Sequence, residues 1–306
     1  VAACACGGSA RNSIGGSWKP ASCTTGSSTS RSLALNGVTL ASDVTIGNGK
    51  SLYLENGLTL VGGATVTLAS AGGGASLFAR PGDQTIGGAG AIVFGGTANN
   101  NYLYAGYGGA MTLTLGANVT LRGWGNINQS SPATVVNQGE ILADVVGQPL
   151  NIGVNSFTNQ GVLRAQEGSL SVSSLAAGVM GGSVELEGSG SAVTLNGVGY
   201  SLPISGVTMT NGQTLSLQGV WTNQAGTTIT ANDATLNLGS GANAWRNLGT
   251  ITVSNTAVTL GGSFTQAGLG NFNRTGGTVN FNGTLASGGL TLNGATGSWN
   301  FGGRIN

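Results

Sequence analysis

The stretch AWRNLGTITV at residues 244–253 combines one Trp, one Arg and an Asn-x-Gly pair, and the same chain contains four related stretches. These are VVNQGEILA at 135–143, FTNQGVLRA at 157–165, VWTNQAGTTITA at 220–231 and SWNFGGRI at 298–305. A site that performs chemistry is needed once, whereas a building unit recurs. The recurrence therefore indicates a repeat structure.

Four positions define the repeated motif: an aromatic or apolar residue, an Asn, a Gly and an aliphatic residue. We align its first position at Val135, Phe157, Trp221, Trp245, Phe272 and Trp299. In most copies the four positions lie an even number of residues apart, so their side chains are expected to point to the same, inner face of an extended chain. The Trp221 copy has one extra residue before its Gly, and the Phe272 copy has Arg274 in the Asn position. We expect a bulge in both copies.

The Asn and Gly positions predict a structural corner. An Asn side chain can satisfy backbone groups that a tight turn leaves unpaired, and stacked Asn amides can bond to one another. A Gly permits a close approach of two backbones, or a positive φ. The corner residues are predicted to be Asn137, Asn159, Asn223, Asn247, Gly139, Gly161 and Gly249.

A second repeat supports the same fold. LNGVTLASDVTI begins at Leu35 and ENGLTLVGGATV at Glu55, and both alternate apolar with polar residues, as strands with one buried face do. The aromatic position of the first motif recurs at a similar interval, as from Trp221 to Trp245. We predict an all-β, single-stranded parallel β-helix (β-solenoid) of roughly a dozen coils of 20–27 residues. Coils about 4.8 Å apart would stack the rings of Trp221, Trp245, Phe272 and Trp299.

The composition agrees with such a fold and excludes several partners. The chain has 306 residues with 58 Gly, 40% hydrophobic and 6% charged residues, which favours strands and turns over helices. Its net charge is +1 and its charges are scattered, so a nucleic-acid partner is not expected. No apolar run reaches the length that spans a membrane. The chain has no His, which disfavours a zinc site, and we predict no cofactor.

The predicted solenoid covers residues 31–306, with an irregular insertion near 71–107 that is rich in Gly and Asn. Residues 1–30 are expected to form a cap or extension that contains Cys4, Cys6 and Cys23. One disulfide between Cys23 and either Cys4 or Cys6 is the favoured interpretation. Three free thiols, a bridge between chains and an acylated Cys4 are the alternatives. The absence of an initiator Met suggests a processed chain or a piece of a longer one.

The carboxylates are the candidate catalytic residues, because acid-base hydrolysis of a glycosidic bond uses a pair of them. One grouping stands out: the coil offset brings Asp144, Glu167 and Glu185 near one another, with Arg164 and Glu187 close by. These residues could hold a cation or act on a sugar. Solvated charges on the outer face are the favoured interpretation of the patch.

The sequence also offers two candidate binding surfaces, one aromatic and one rich in Thr. Tyr102, Tyr104 and Tyr107 are the best candidates for an aromatic surface that contacts a sugar or another partner. Outward-facing Thr residues are frequent, which raises ice binding, but we do not expect them to form a sustained Thr-x-Thr ladder.

The aromatic-x-Asn-x-Gly-x-Ile copies and the Asn-Gly-Val-Thr-Leu strands resemble the repetitive β-helical shafts of bacterial surface proteins, of the filamentous-haemagglutinin and autotransporter-passenger type. The resemblance covers most of the chain that follows the predicted cap. It implies secretion to the cell surface or beyond, a right-handed β-helix, and a role in adhesion, biofilm or a surface layer.

The resulting hypothesis is an extracellular structural or adhesive protein that associates head to tail with itself or with other cell-surface components. The alternative is a carbohydrate-active β-helix that uses the acidic patch.

Overall fold

A computed structural model describes residues 23–24, 33–286, 289–292 and 296–306. They form a β-solenoid of about 12 turns built from stacked parallel strands, which confirms the predicted fold class. The chain divides into two compact units. The first contains residues up to 142 together with 150–157, and the second contains 143–149 together with 158–306.

Most of the strands are short, and all strand pairings reported below are parallel. The strands up to residue 159 are β1 (Cys23–Thr24), β2 (Leu33–Leu40), β3 (Val44–Gly47), β4 (Lys50–Leu60), β5 (Thr65–Ser70), β6 (Ala75–Ala79), β7 (Gln84–Gly96), β8 (Asn101–Ala105), β9 (Met111–Leu115), β10 (Asn118–Gly123), β11 (Gly125–Gln129), β12 (Ala133–Asn137), β13 (Glu140–Ala143), β14 (Pro149–Gly153) and β15 (Ser156–Asn159).

The remaining elements include one helical turn. They are β16 (Val162–Gln166), β17 (Ser169–Leu175), β18 (Gly178–Val179), β19 (Ser183–Glu187), β20 (Ala192–Ser201), β21 (Val207–Thr210), β22 (Thr214–Asn223), β23 (Thr228–Asn232), β24 (Thr235–Leu238), β25 (Trp245–Asn247), β26 (Thr250–Ser254), β27 (Ala257–Leu260), β28 (Ser263–Phe264), α1 (Gln266–Leu269), β29 (Asn271–Thr275), β30 (Thr278–Phe281), β31 (Thr284–Leu285), β32 (Asn300–Phe301) and β33 (Arg304–Ile305).

Alternation of apolar and polar residues in the strands determines which side chains form the core. In β9 the inward Met111, Leu113 and Leu115 are buried, while the Thr residues between them are half-exposed. β9 pairs with β12 so that Leu113 lies beside Val135, and both side chains are fully buried. Apolar side chains of successive coils thus stack in columns, and this burial is the main source of stability for a chain in which 6% of the residues are charged.

Segment 71–107, which we predicted to be an irregular insertion, instead continues the coil. Its strands β6 and β8 pair with each other, and β6 also pairs with β4. Coils in this part of the chain differ in length. Ile92 lies beside Leu121 and Leu121 beside Ile141, so the coil from Ile92 to Leu121 contains more residues than the coil from Leu121 to Ile141. Some of the Gly and Asn residues that made the segment look irregular lie between the strands, as at 72–74 and 99–100, and others lie within β7.

The aromatic stack contains Trp221 and Trp245 but not the other two predicted rings. The indoles of Trp221 and Trp245 are parallel within 2°, with centroids 5.1 Å apart. The next ring is Phe264, whose centroid lies 4.7 Å from that of Trp245. Phe272 pairs with Ile251 instead, and Trp299 contacts Phe272 edge-on at 6.4 Å. The predicted alignment of Phe272 and Trp299 is therefore wrong.

The helical turn α1 explains this shift. It follows Phe264 directly, and the Thr265 hydroxyl caps it by accepting a hydrogen bond from the Gly268 backbone N–H. α1 replaces the Asn-x-Gly corner in this coil, so the chain reaches the next strand several residues later. Phe272 consequently occupies the fourth, aliphatic position of the motif rather than the first.

The predicted Asn residues are buried at the corners, and each is less than 3% exposed: Asn137, Asn159, Asn223 and Asn247. The Asn223 Nδ2 donates to the Asn247 Oδ1 at 2.7 Å. Asn247 in turn donates to the backbone carbonyls of Leu269 and Asn271. In the second unit two coils lack a corner Asn and have the buried Met180 and Leu202 in its place. The sequence motif missed the buried Asn101, which donates to the Gly95 carbonyl.

The corner Gly residues are required by close backbone approach. A Cβ atom on Gly139 would lie 2.1 Å from the Val119 carbonyl oxygen, and one on Gly249 would lie 2.1 Å from that of Thr227. The Gly161 carbonyl accepts hydrogen bonds from the Asn159 side chain and the Ser183 backbone. A side chain at position 182 would block these hydrogen bonds, because a Cβ atom on Gly182 would lie 1.7 Å from the Gly161 oxygen.

Two residues of the predicted cap at 1–30 are described, and the cap stays a prediction. Cys23 and Thr24 form β1, which pairs with β3. Cys4 and Cys6 lie outside the described residues, and the disulfide stays a prediction.

Candidate binding surface

Five aromatic side chains form a continuous cluster on the outer face of the first unit. We call it the aromatic strip, and it consists of Tyr53, Phe78, Tyr102, Tyr104 and Tyr107. Strand alternation places the strip: in β4 the side chains of Leu52 and Leu54 are buried, so that of Tyr53 faces outward. The sequence indicated the three C-terminal residues of the strip, whereas Tyr53 and Phe78 join it through strand register.

Three of the rings form a ladder. Tyr53 lies beside Phe78 and Phe78 beside Tyr104 in successive coils. The centroid distances are 5.2 and 4.8 Å and the interplanar angles 18° and 8°, so the rings are stacked face to face. Because the faces are shared within the ladder, it presents ring edges and phenolic hydroxyl groups outward. Stacking of this kind contributes about 0.5–1.5 kcal/mol per pair.

Tyr107 and Tyr102 widen the strip. Tyr107 lies on the corner after β8, packs 4.6 Å from Phe78 and 5.2 Å from Tyr53, and is 40% exposed. Tyr102 stacks on Tyr104 with centroids 5.3 Å apart. The corner is anchored by the Tyr107 backbone N–H, which donates to the Ala79 carbonyl. These contacts hold the rings in place before any partner binds, which reduces the entropy lost on binding.

A charged pair borders the strip. The Arg80 guanidinium lies 4.9 Å from the centroid of the Tyr53 ring, a cation–π contact. Its Nη1 is 2.7 Å from the Glu55 Oε1. The Arg80 and Glu55 side chains are 40% and 30% exposed, so the ion pair adds little stability. Its effect is to hold the guanidinium over the ring and to leave this edge of the strip nearly neutral.

Two phenols of the strip, those of Tyr104 and Tyr107, have a raised pKa. Burial raises the pKa of Tyr104 above its usual value of 10.0, and the nearby Tyr102 raises it further. A hydrogen bond with Tyr53 raises the pKa of Tyr107. Since a raised pKa keeps the protonated form to higher pH, both hydroxyl groups are neutral hydrogen-bonding groups under physiological conditions.

Amide side chains continue this uncharged surface in the neighbouring coils. Tyr102 lies beside Asn126, and Asn126 beside Asn151. The Asn151 Nδ2 donates to the Asn126 Oδ1 at 3.2 Å. The combined surface offers ring edges, hydroxyl groups and amides in a fixed arrangement, which suits a polar, hydroxyl-bearing partner more than a charged one.

The predicted acidic patch is partly neutralised. The Arg164 Nη2 lies 2.7 Å from the Glu185 Oε2, and its Nε lies 3.6 Å from the Glu187 Oε1. Glu167 is exposed at a corner with a positive φ, and its backbone N–H donates to the Ser191 hydroxyl. Asp144 follows β13 and is half-buried. Glu185 is thus engaged by Arg164, which disfavours it as one of a pair of catalytic carboxylates.

Two further features are absent from the described part of the chain. Within those residues, no cluster of three or more His, Cys, Asp or Glu side chains is arranged to bind a metal ion. Over the same ranges, no helix has the length and hydropathy needed to cross a bilayer.

Comparisons with known proteins do not assign the chain to a family. No protein-family model matches it, and no curated protein or solved structure is significantly similar to it. The solenoid fold and the chemistry of its surfaces therefore carry the functional argument.

Proposed function

We propose that the chain is an extracellular structural or adhesive β-solenoid and that the aromatic strip is its adhesive surface. The observation that carries the proposal is the outward ladder of Tyr53, Phe78 and Tyr104, whose rings are held 4.8–5.2 Å apart without a partner. Aromatic side chains, Tyr and Trp above all, dominate the energetics of protein recognition surfaces when they are fixed in this way.

The rest of the molecule supports a passive scaffold. Buried amides at its corners donate hydrogen bonds to neighbouring coils, as Asn223 does to Asn247. An edge strand of a parallel coil carries unpaired backbone groups that a coil of a second chain can pair with, and repeated pairing of this kind would produce a filament. We include this head-to-tail association in the proposal; light scattering of the concentrated protein measures it, and monodisperse monomers would contradict it.

The proposal also concerns location. The resemblance to bacterial surface shafts supports a place outside the cell, and the low charge and high Gly content agree with it. The alternative, a polysaccharide-cleaving enzyme, depends on Asp144 and Glu167 because Glu185 is paired with Arg164.

Replacing Tyr107 by Ser is expected to reduce adhesion about tenfold, since truncating an exposed aromatic anchor costs on the order of 1–2 kcal/mol. The measurement is the fraction of purified protein retained on insoluble cellulose and chitin and on intact bacterial cells. Val198→Ser is the matched control, because Val198 is 77% exposed on the second unit.

Three results would count against the adhesive proposal. The first is wild-type protein that is retained on none of these surfaces. The second is an equal loss of retention in Tyr107→Ser and Val198→Ser. The third is soluble sugar released from the polysaccharides by the wild type and not by Glu167→Gln, which would favour the enzyme. A thermal melt of each variant, followed by circular dichroism, shows that the fold is retained.

A further inference from the structure

Four strands of the second unit form a sheet whose outward side chains are all Thr, Ser or Asn. The sheet consists of β21, β23, β26 and β29. Its first three strands each carry a Thr-x-Thr sequence, and we call these six residues the threonine array: Thr208, Thr210, Thr228, Thr230, Thr250 and Thr252.

Strand register aligns the array in rows. Thr208 lies beside Thr230, which lies beside Thr252. Thr228 lies beside Thr250 in the adjoining row. Thr-x-Thr is in register in β23 and β26 only, because Thr210 lies beside Asn232, and one row of three Thr residues runs through the first three strands. This row arises because Thr208, Thr230 and Thr252 are equally spaced along the chain, at an interval that matches one coil.

Within the sheet the edges of the array are polar and uncharged, whereas on its other side β21 contacts β19, which carries Glu185 and Glu187. The third row continues from Thr210 to Asn232, Ser254 and Thr275, and the fourth strand adds Asn271 and Asn273. The Asn271 Nδ2 donates to the Thr250 Oγ1 at 3.2 Å. Within these four strands, none of the outward positions carries a charge.

The one charged residue of these strands is turned away from the array. Arg274 of β29 pairs with Val253, a core position. Its guanidinium donates to the backbone carbonyls of Gly276, Gly277 and Ser298. Arg274 therefore adds no charged group to the outer face of the array.

The array is rigid in both directions. Its strands are backed by the buried side chains of Val207, Ile229 and Ile251. Neighbouring strands repeat at about 4.8 Å, and alternate residues along a strand repeat at about 6.6 Å. Thr is stiff at χ1 because it is branched at Cβ, so each methyl and hydroxyl group keeps its position.

This lattice resembles a face of ice. The interstrand repeat is close to the spacing of water oxygens along one axis of the prism face of hexagonal ice, and the repeat along the strand is somewhat shorter than the spacing along the perpendicular axis. Hydroxyl groups at these spacings can anchor a first layer of ordered water, and the methyl groups between them exclude competing orientations. A soluble ligand would not require such regularity, whereas a crystal surface does.

We propose that the threonine array binds ice crystals. The inference is independent of the aromatic strip, which lies on the first unit. Water molecules held over the rows match the lattice of the crystal, and binding grows with the number of rows engaged. Crystalline polysaccharide is the competing occupant, and the experiment below separates the two.

The experiment is ice-affinity partitioning of the full chain, in which an ice hemisphere is grown slowly from a protein solution. Wild-type protein is expected to be enriched in the ice relative to a non-binding reference protein. Thr230→Tyr places a ring above the centre of the array and is expected to reduce this enrichment about tenfold, because it holds the neighbouring rows off the crystal. Thr252→Tyr should act in the same way.

The matched control is Thr67→Tyr. Thr67 faces outward in β5 of the first unit, between Thr45 and Val93 in register, and its replacement should leave the enrichment unchanged. Exclusion of the wild-type protein from ice would overturn the proposal, as would an equal loss in Thr67→Tyr and Thr230→Tyr. Retention on crystalline cellulose or chitin that Thr230→Tyr abolishes, without enrichment in ice, would overturn it in favour of a polysaccharide surface.

Discussion

Replacing Trp221 by Ala is expected to lower the free energy of unfolding by about 3–5 kcal/mol, the cost of removing a large side chain from a close-packed core. Trp221 is 1% exposed and stacks on Trp245 at 5.1 Å. The surrounding strands are held by their own hydrogen bonds and cannot collapse fully into the space that the indole leaves. The effect should be concentrated in the coils that contact Trp221, because each coil of a solenoid contacts mainly its neighbours.

Chemical denaturation measures the total effect, and hydrogen exchange locates it, with the largest loss of protection expected in β20, β22 and β25. The exposed Val198→Ala is the control. Its cost should be small because Val198 is 77% exposed. A cost for Trp221→Ala no larger than that for Val198→Ala would contradict the stacked interior.

Comparison of Trp221→Phe with Trp245→Phe sharpens the test. Among the described residues, the buried Nε1 of Trp221 has no hydrogen-bond partner, whereas the Nε1 of Trp245 donates to the Gly261 carbonyl at 2.8 Å. Removing an unsatisfied donor recovers part of its desolvation cost, but removing a satisfied one leaves an acceptor unpaired. Trp245→Phe should therefore cost about 1–3 kcal/mol more than Trp221→Phe.

The sequence predicts the coil well because its signals are local. Alternation within β9 identifies Leu113 as a core residue, and the spacing of two motif copies predicts that Trp221 and Trp245 stack. The prediction fails at Phe272, because Phe264 and Phe272 both lie in short strands, β28 and β29, and α1 between them decides which ring joins the stack. A capped helical turn this short leaves no periodic signal.

The surfaces were harder to predict because they depend on register between coils of unequal length. Tyr53, Phe78 and Tyr104 form a ladder although the interval from Tyr53 to Phe78 differs from that between Phe78 and Tyr104. Thr208 and Thr230 align through a shorter interval still. Corner residues set these intervals, and corners vary in length without changing the alternation in the strands. The residue types at each surface could therefore be identified from the sequence, but their neighbours could not.

Replacing Gly249 by Ala is expected to destabilise the protein by about 3 kcal/mol or more, the upper end of the cost of inserting atoms into a packed interior. The added Cβ would lie 2.1 Å from the Thr227 carbonyl oxygen and 2.4 Å from that of Gln224, so two backbones would have to separate. Their separation would also strain the buried Asn223, whose Nδ2 lies 2.8 Å from the same Cβ position. Denaturation midpoints and hydrogen exchange over β23 and β26 measure the effect.

Two other Gly→Ala replacements isolate the cause, because the change in chain entropy is the same in all three. Gly47 has an ordinary φ and no atom within 4 Å of its Cβ position, so Gly47→Ala should be neutral or stabilising by up to about 1 kcal/mol. Gly226 also has open space but a φ of +83°, so Gly226→Ala should cost about 1–2 kcal/mol from backbone strain alone. The order Gly249, Gly226, Gly47 follows if close packing of coils is what requires Gly in the Asn-x-Gly corner. Equal costs at Gly249 and Gly226 would instead assign the requirement to backbone conformation.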